Sequence, residues 1–332
     1  MTVNQLPTLR FAMIGCGRMG RHHSEKMIAD GRGEVVSLFD ADPLFAEQLR
    51  DELWPAAKVY SSFDALLAVP EIQAAVICTP TAEHFPQSTA CLAKGWHVLC
   101  EKPLATNRTD IGKLIQLAET CRAKGQVFSL GYQRRAWSIF RTLRREVQSG
   151  RWGAVQAISS HTVEFWQSTI TGTWRDDPRQ NAGGFVMDAG SHKFDAIFYI
   201  TGLEPVEVYA RSQKRGSQVE IITSVSALLT QGVMLSMDFV GNAQYLSEDL
   251  HIHCERADLM LRHDELWIAT DRRVERLQAD EPDSDPVAGF LDVILKGEPD
   301  RSPPEAALPV YDITTAVLES SRTGLPVHLR DA

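Results

Sequence analysis

Three groups of residues in this chain have types and spacings that could do chemistry. The first is Gly15-Cys16-Gly17-Arg18-Met19-Gly20, with G-x-G-x-x-G spacing directly after the apolar run Phe11-Ala12-Met13-Ile14. Gly15 would allow a tight turn, Gly17 a close approach of backbone N–H groups to a pyrophosphate, and Gly20 a close approach of helix to strand. The anion would sit at the helix N-terminus, where unpaired N–H groups converge. The next apolar run, Glu34 to Phe39, ends in Asp40, 20 residues past Gly20. A carboxylate there can accept both ribose hydroxyls of an adenosine and repels a 2′-phosphate, which favours NAD over NADP. The alternative is a glycine turn with a capping aspartate.

The second group is Glu101-Lys102-Pro103, where a Lys-Pro step ends a strand-like run and would project the lysine over the crevice that receives a nicotinamide. A solvated Glu-Lys turn has the same sequence. The third lies in Gly183-Gly184-Phe185-Val186-Met187-Asp188-Ala189-Gly190-Ser191-His192-Lys193-Phe194-Asp195. If this run is helical through Ile200, Asp188 and His192 share one face. A carboxylate beside an imidazole holds its tautomer and raises its basicity, as removal of a hydroxyl proton during hydride transfer requires. An ordinary Asp-His helix pair has that spacing too.

The elements that must position these groups follow from periodicity. Lys58 to Tyr60, Ala74 to Cys78, Trp96 to Leu99 and Gln126 to Leu130 read as strands. Ser62 to Val69, Ala82 to Lys94 and Asp110 to Lys124 alternate with them as helices, stopped at Gly95 and Gly125. This alternation predicts a parallel, doubly wound sheet, with ligands beyond the carboxyl ends of its strands. One such end carries Cys78-Thr79-Pro80, with His84 a turn into the next helix. Past Leu130 the character changes. Arg134 to Ser149 reads as a basic amphipathic helix with a solvated charged face. Val155 to Val163, Val206 to Ala210, Val219 to Leu229, Val233 to Val240 and Leu250 to Cys254 then follow one another with short connections, as in an antiparallel sheet. A polar segment, Asp280 to Pro286, leads to helix-like stretches at Val287 to Lys296 and Tyr311 to Arg322. Trp137, Trp152, Trp166 and Trp174 crowd one window, and flat aromatic faces suit the C–H faces of sugars as well as core packing. Arg134, Arg135 and Arg175 could bind hydroxyls or carboxylates.

Bulk properties exclude several classes. The 332 residues are enough for two domains, and 44% hydrophobic with 23% charged residues is the composition of a globular chain. A net charge of −9 argues against a nucleic-acid partner. No apolar run reaches the ~20 residues of a membrane span, and the opening MTVNQLPTLR has no leader pattern, so a cytoplasmic protein is expected. Six scattered cysteines without C-x-x-C spacing read as small buried hydrophobes. His251, His253 and Cys254 do not form a metal site, because in a strand Cys254 points away from the two histidines.

Together, the glycine motif, Cys78-Thr79-Pro80 with His84, Glu101-Lys102-Pro103, Gly131-Tyr132-Gln133-Arg134-Arg135, Trp174-Arg175, Gly183-Gly184 through Asp195 and the ending Leu318 to Leu329 resemble the Gfo/Idh/MocA family of NAD(P)-dependent oxidoreductases. The resemblance implies a Rossmann domain over 1–130 and, over 131–332, an α+β substrate-binding and oligomerisation domain with a large, mostly antiparallel open sheet. It also implies a homodimer or homotetramer. By likeness, Lys102, Asp188 and His192 form the catalytic trio: His192 the acid/base, Asp188 its tuning partner, and Lys102 the group holding substrate and nicotinamide in register. The cofactor would be held by Gly15, Gly17, Arg18, Met19, Gly20, Asp40, Thr79, Pro80, His84, Glu101 and Lys102. Tyr132, Arg134, Trp174 and Arg175 would join Asp188 and His192 around the substrate, a sugar, inositol or related polyol oxidised at a secondary hydroxyl. The alternatives are an NAD-dependent glycosidase that recycles its cofactor internally, and an NAD-redox sensor without turnover.

Overall fold

The computed structural model describes residues 8–279 and 282–330. Outside them lie 1–7, which carry most of the opening MTVNQLPTLR, Asp280 and Glu281 of the polar segment, and 331–332. The chain divides into two compact units, Met1–Ala136 with Ser284–Leu308, and Trp137–Asp283 with Pro309–Ala332.

In the first unit β1 (Leu9–Ile14), β2 (Gly33–Phe39), β3 (Lys58–Val59), β4 (Ala74–Ile77), β5 (His97–Cys100) and β6 (Phe128–Leu130) form one parallel sheet in the order β3-β2-β1-β4-β5-β6. Between them run α1 (Arg18–Asp30), α2 (Pro43–Leu53), α3 (Phe63–Leu67), α4 (Thr81–Ala93) and α5 (Arg108–Arg122). The sequence leads to this arrangement because the central strands are apolar on both faces: all of β4 is buried, as is β1 except Arg10. Strands of that kind need a helix layer on each side. The sheet order reverses between β1 and β4, so the crevice at their carboxyl ends is the fold's natural ligand site. Helix α2 goes beyond the sequence expectation. Asp42 caps it by accepting the Leu44 N–H, and Pro43 takes its first position.

The second unit holds α6 (Ser138–Gln148), β7 (Val155–Val163), α7 (Trp166–Ile170), α8 (Ser191–Thr201), β8 (Pro205–Gln213), β9 (Ile222–Leu229), β10 (Met234–Val240), β11 (Ser247–Cys254), β12 (Asp258–Arg262), β13 (Glu265–Thr270) and β14 (Arg273–Leu277). With the late β15 (Val327–His328) the strands order β14-β13-β12-β11-β7-β10-β9-β8-β15, antiparallel throughout except for the parallel β7–β10 contact. Alternation along β10 turns Leu235, Met237 and Phe239 inward. Phe239 meets Phe194 of α8 at 5.5 Å between ring centroids and Phe185 edge-on at 5.9 Å. That aromatic cluster seats α8 on the sheet.

The expected basic helix from Arg134 differs from the observed one. A 3-10 turn covers Gln133–Ala136, and Trp137 is extended before α6 begins. Arg134 and Arg135 are buried rather than solvated, and Arg135 donates to the Arg301 carbonyl in the returning segment.

That return brings α9 (Pro286–Lys296) back to the first unit, while α10 (Ala307–Thr323) runs on into the second. Phe290 of α9 packs edge-on against Phe11 of β1 at 6.3 Å, and Val287 and Leu291 join the same core. Phe290→Ala should therefore cost about 3–5 kcal/mol by leaving a cavity. Urea unfolding would read this as a lower midpoint, whereas an unchanged midpoint would mean that the return is only loosely docked.

Candidate active site

At the carboxyl end of β1 the glycine loop is fixed by sterics. Gly15 has φ +88°, a left-handed conformation that disfavours any side chain, and a Cβ there would come 2.5 Å from the Cys78 carbonyl carbon. A Cβ on Gly20 would run into the Gly15 carbonyl oxygen. Gly17 is different, since nothing lies within 4 Å of where its Cβ would be. Gly17 is also the N-cap of α1 and offers no side-chain cap, and the first turn carries no acid. The space beside Gly17 is thus open and the first turn of α1 has no side-chain cap, which is the environment a dinucleotide pyrophosphate fits.

Asp40 lies beside this loop. Its Oδ2 accepts the Cys16 N–H at 2.7 Å and its Oδ1 the Asp42 N–H at 3.0 Å. A carboxylate has about four acceptor positions, so capacity remains for ribose hydroxyls. Burial, with the Asp40 charge next in weight, pushes the Cys16 thiol up to about 12, so this cysteine is inert packing.

Beyond β4 and β5 the predicted residues are tied to one another. Thr79 donates its hydroxyl to Gln87 Oε1 at 2.7 Å. His84, 1% exposed, sits with Nε2 2.8 Å from the Thr79 carbonyl and Nδ1 2.7 Å from the Pro103 carbonyl. It therefore braces the loop after β4 against the loop after β5. Burial holds its pKa below the ordinary histidine value, even though both carbonyl contacts work in the opposite direction. Glu101 is 8% exposed, with Oε1 2.8 Å from His23 Nε2 and Oε2 accepting the Lys102 N–H at 3.1 Å. Burial raises its carboxyl, but the hydrogen bond and charge of His23, then Lys102, outweigh that and hold it below the ordinary value. The Lys102–Pro103 peptide is cis. Tyr132 is buried past the end of β6, with the Arg135 guanidinium 5.6 Å from its ring centroid.

In the second unit the Asp188 region is helical, but Val186–Gly190 is a π-turn that leads directly into α8. A π-turn inserts one residue into the helical path, so the four-residue α-helical spacing expected between Asp188 and His192 is not the observed local geometry. Asp188 Oδ2 accepts from Arg175 Nε at 2.8 Å, and the Arg175 guanidinium stacks 4.3 Å from the Trp174 ring centroid. Buried Asn181 supports this arm by donating to the Arg175 carbonyl at 2.8 Å. Along residues 191–200 every side chain is buried except that of His192, which keeps partial exposure at the first turn of α8.

Of the clustered tryptophans, Trp166 is core, stacked on Phe185 at 5.2 Å, and Trp152 donates to Glu146. Trp137 packs on Phe140, while Trp174 keeps half its surface open. Sequence reasoning missed His23, Gln87 and Asn181, and also Lys193, whose buried ammonium meets Glu248 at 2.6 Å and Glu164 at 3.4 Å. Each pairs with a residue distant in sequence or carries no motif. Among the described residues, no group of three or more His, Cys, Asp or Glu could hold a metal ion, and His253 pairs with Asp258 instead. No helix among them is long and apolar enough to cross a membrane.

Comparison with known proteins bears on both units. Residues 9–132 match the family model described as an oxidoreductase family with an NAD-binding Rossmann fold, and residues 140–260 match the GFO/IDH/MocA C-terminal domain. The inositol 2-dehydrogenase of Rhizobium meliloti is 28% identical over 203 residues, covering 61% of this chain and 58% of that protein. The chain thus spans about three fifths of that relative's length. The UDP-N-acetylglucosamine 3-dehydrogenase of Acidithiobacillus ferrooxidans is 28% identical over 234 residues, 70% of this chain and 66% of that one. Among solved structures, an oxidoreductase domain protein from Kribbella flavida superposes with a TM-score of 0.87 at 20% identity, over 98% of this chain and all of that one. That likeness speaks for the fold.

Proposed function

The chain belongs to the Gfo/Idh/MocA oxidoreductase family, by its NAD-binding Rossmann unit and its C-terminal unit alike, and on that premise we propose that it is an NAD-dependent dehydrogenase of a sugar, inositol or related polyol. The observation that carries the reading is His192, kept partly exposed in the otherwise buried run 191–200, directly after the π-turn that holds Asp188. π-turns of this kind are frequent at functional sites. The two relatives named above are an inositol dehydrogenase and a nucleotide-sugar dehydrogenase, which supports a secondary alcohol as the reacting group.

The bound dinucleotide supplies the nicotinamide that takes up or returns a hydride. The residues of this chain do the rest. The N–H groups at the start of α1 and the backbone at Gly17 receive the pyrophosphate, and Asp40 receives the adenosine ribose. His192 takes the substrate hydroxyl proton onto its ring during oxidation and returns it in the reverse direction. Asp188 favours the imidazolium that results, and Arg175 fixes the orientation of that carboxylate. Lys102 donates to the substrate oxygen and stabilises the negative charge that builds there. Trp174 offers its open face to the apolar side of the sugar ring.

The experiment is a panel of inositols, aldoses, sugar acids and a UDP-N-acetylhexosamine mixed with NAD and the protein, with ketone product and reduced cofactor quantified together. One ketone per reduced NAD is expected. Glycoside cleavage without net reduction would mark internal recycling, and NAD binding without any product would mark a sensor.

Cofactor choice is a separate prediction. Asp40 places a negative charge where the 2′-phosphate of NADP would lie, so the parent protein should prefer NAD. Asp40→Ser should shift the NAD-to-NADP ratio of kcat/KM toward NADP by about tenfold or more, the equivalent of about 1.4 kcal/mol. Equal use of both cofactors by the parent would refute the role given to Asp40.

A further inference from the structure

We propose that His23 is a positioning residue, which through Glu101 holds the backbone of Lys102 in register with the helix that receives the cofactor. The proposal rests on the role given to Lys102 above. His23 lies on α1, the helix whose N-terminus is left uncapped at Gly17, and its side chain is almost wholly buried. Its Nε2 meets Glu101 Oε1 at 2.8 Å, while the other carboxylate oxygen accepts the Lys102 N–H at 3.1 Å. One carboxylate therefore spans from the cofactor helix to the amide of the proposed catalytic lysine. The end of β6 is shaped around it: a Cβ on Gly131 would come 2.8 Å from Glu101 Oε1.

Stability gives little reason for such a pair. Replacing both partners of a buried polar pair by well-packed apolar groups of similar volume is often nearly neutral for stability. This one also leaves His23 Nδ1 buried with no hydrogen-bond partner among the described residues. What the pair does is mechanical. It couples two rigid pieces, α1 and the end of β5, whose relative placement sets where a lysine stands with respect to a bound dinucleotide. A misplacement of about 1 Å in such a register can lower turnover by about 10²-fold.

The test is amide hydrogen exchange resolved to Lys102, on the full chain, for His23→Leu and His23→Gln. Loss of the His23 contact should speed exchange of the Lys102 amide about tenfold, with the amides of β5 unchanged. His23→Gln can still donate an N–H to Glu101 Oε1 and should restore most of the protection. Unchanged exchange at Lys102 in His23→Leu overturns the proposal, as does equal acceleration along β5, which would mark general loosening. If His23→Leu does not fold, His23→Asn, whose shorter side chain cannot reach Glu101 Oε1, serves in its place with the same expectation and the same overturning result.

A kinetic arm separates positioning from folding. His23→Leu should lower kcat by about 10²-fold with little change in the KM or the equilibrium Kd for NAD. In a Lys102→Ala background the same substitution should cost little further turnover, because the two act as one unit. Full additivity overturns the proposal. Should Lys102→Ala itself leave turnover intact, the functional reading of Lys102 fails, while the exchange experiment still decides whether the His23–Glu101 pair holds this loop.

Discussion

On the role proposed for His192, His192→Ala is expected to lower kcat by about 10²- to 10⁴-fold, the contribution of a positioned acid/base. It should do so without weakening NAD binding, and without unfolding the second unit. The reason is positional. His192 is the one residue of 191–200 that α8 does not bury, so truncating it leaves the Phe185–Phe194–Phe239 packing untouched. The loss should appear equally in kcat and kcat/KM, as expected for an interaction made only in the transition state. Asp188→Asn should fall in the same direction by a smaller factor. It removes the charge proposed to favour the imidazolium and leaves the Arg175 guanidinium without its anionic partner. Turnover within a few-fold of the parent for His192→Ala would mean that another group moves the proton.

The second large effect separates two glycines of one loop. Gly17→Ala should cost the cofactor-free protein no more than about 1 kcal/mol, the loss of a favoured N-cap residue, because nothing lies within 4 Å of the new Cβ. It should nonetheless weaken NAD binding about 10- to 100-fold. That range corresponds to losing one hydrogen bond to a charged group, about 1.5–3 kcal/mol, where the pyrophosphate would approach. Gly20→Ala behaves in the opposite way in the free protein. Its Cβ would strike the Gly15 carbonyl oxygen, so α1 must move off the turn, and stability falls by about 1–3 kcal/mol before any ligand is added. Calorimetric titration with NAD, together with thermal unfolding of both variants, reads the contrast. A stable Gly17→Ala protein with parental NAD affinity would place the pyrophosphate elsewhere.

How much of this was legible in the sequence depends on the distance over which each feature is encoded. The glycine loop is written in six consecutive residues, because the sterics that demand Gly15 and Gly20 act within one turn. Asp40 was legible because a parallel strand pair brings the end of β2 beside the end of β1. The apolar runs of β1, β4 and β5 stood out for the same reason, being buried on both faces. Helix α2 carried its signals, Asp42 and Pro43, but Leu44 and Phe45 on its exposed side blur the amphipathic stripe. Strands β13 and β14 lie toward one edge of the second sheet. Their Glu265, Arg273, Glu275 and Arg276 break the apolar alternation by which a strand is recognised.

Two features of the site could not be read from local pattern. The His23–Glu101 pair joins positions 78 residues apart, and neither residue type announces a partner. The π-turn at Val186–Gly190 differs from an α-helix by a single residue in its hydrogen bonding, which no spacing of side-chain types records. Helical spacing alone singles out Asp188 and His192 and gives no sign of the Arg175 contact. Arg134 and Arg135 looked like a solvated face because charge alone does not reveal that residues 284–308 return to cover this region of the first unit.

The central claim is that His192 removes a proton while the hydrogen on the same carbon goes to the nicotinamide. The measurement that tests it most directly uses a polyol that reduces NAD in the panel, resynthesised with deuterium at the reacting carbinol carbon. The account predicts slower turnover than with the unlabelled polyol, and deuterium recovered in the reduced cofactor. Deuterium found in water, or retained in the product while reduced cofactor accumulates, would contradict it.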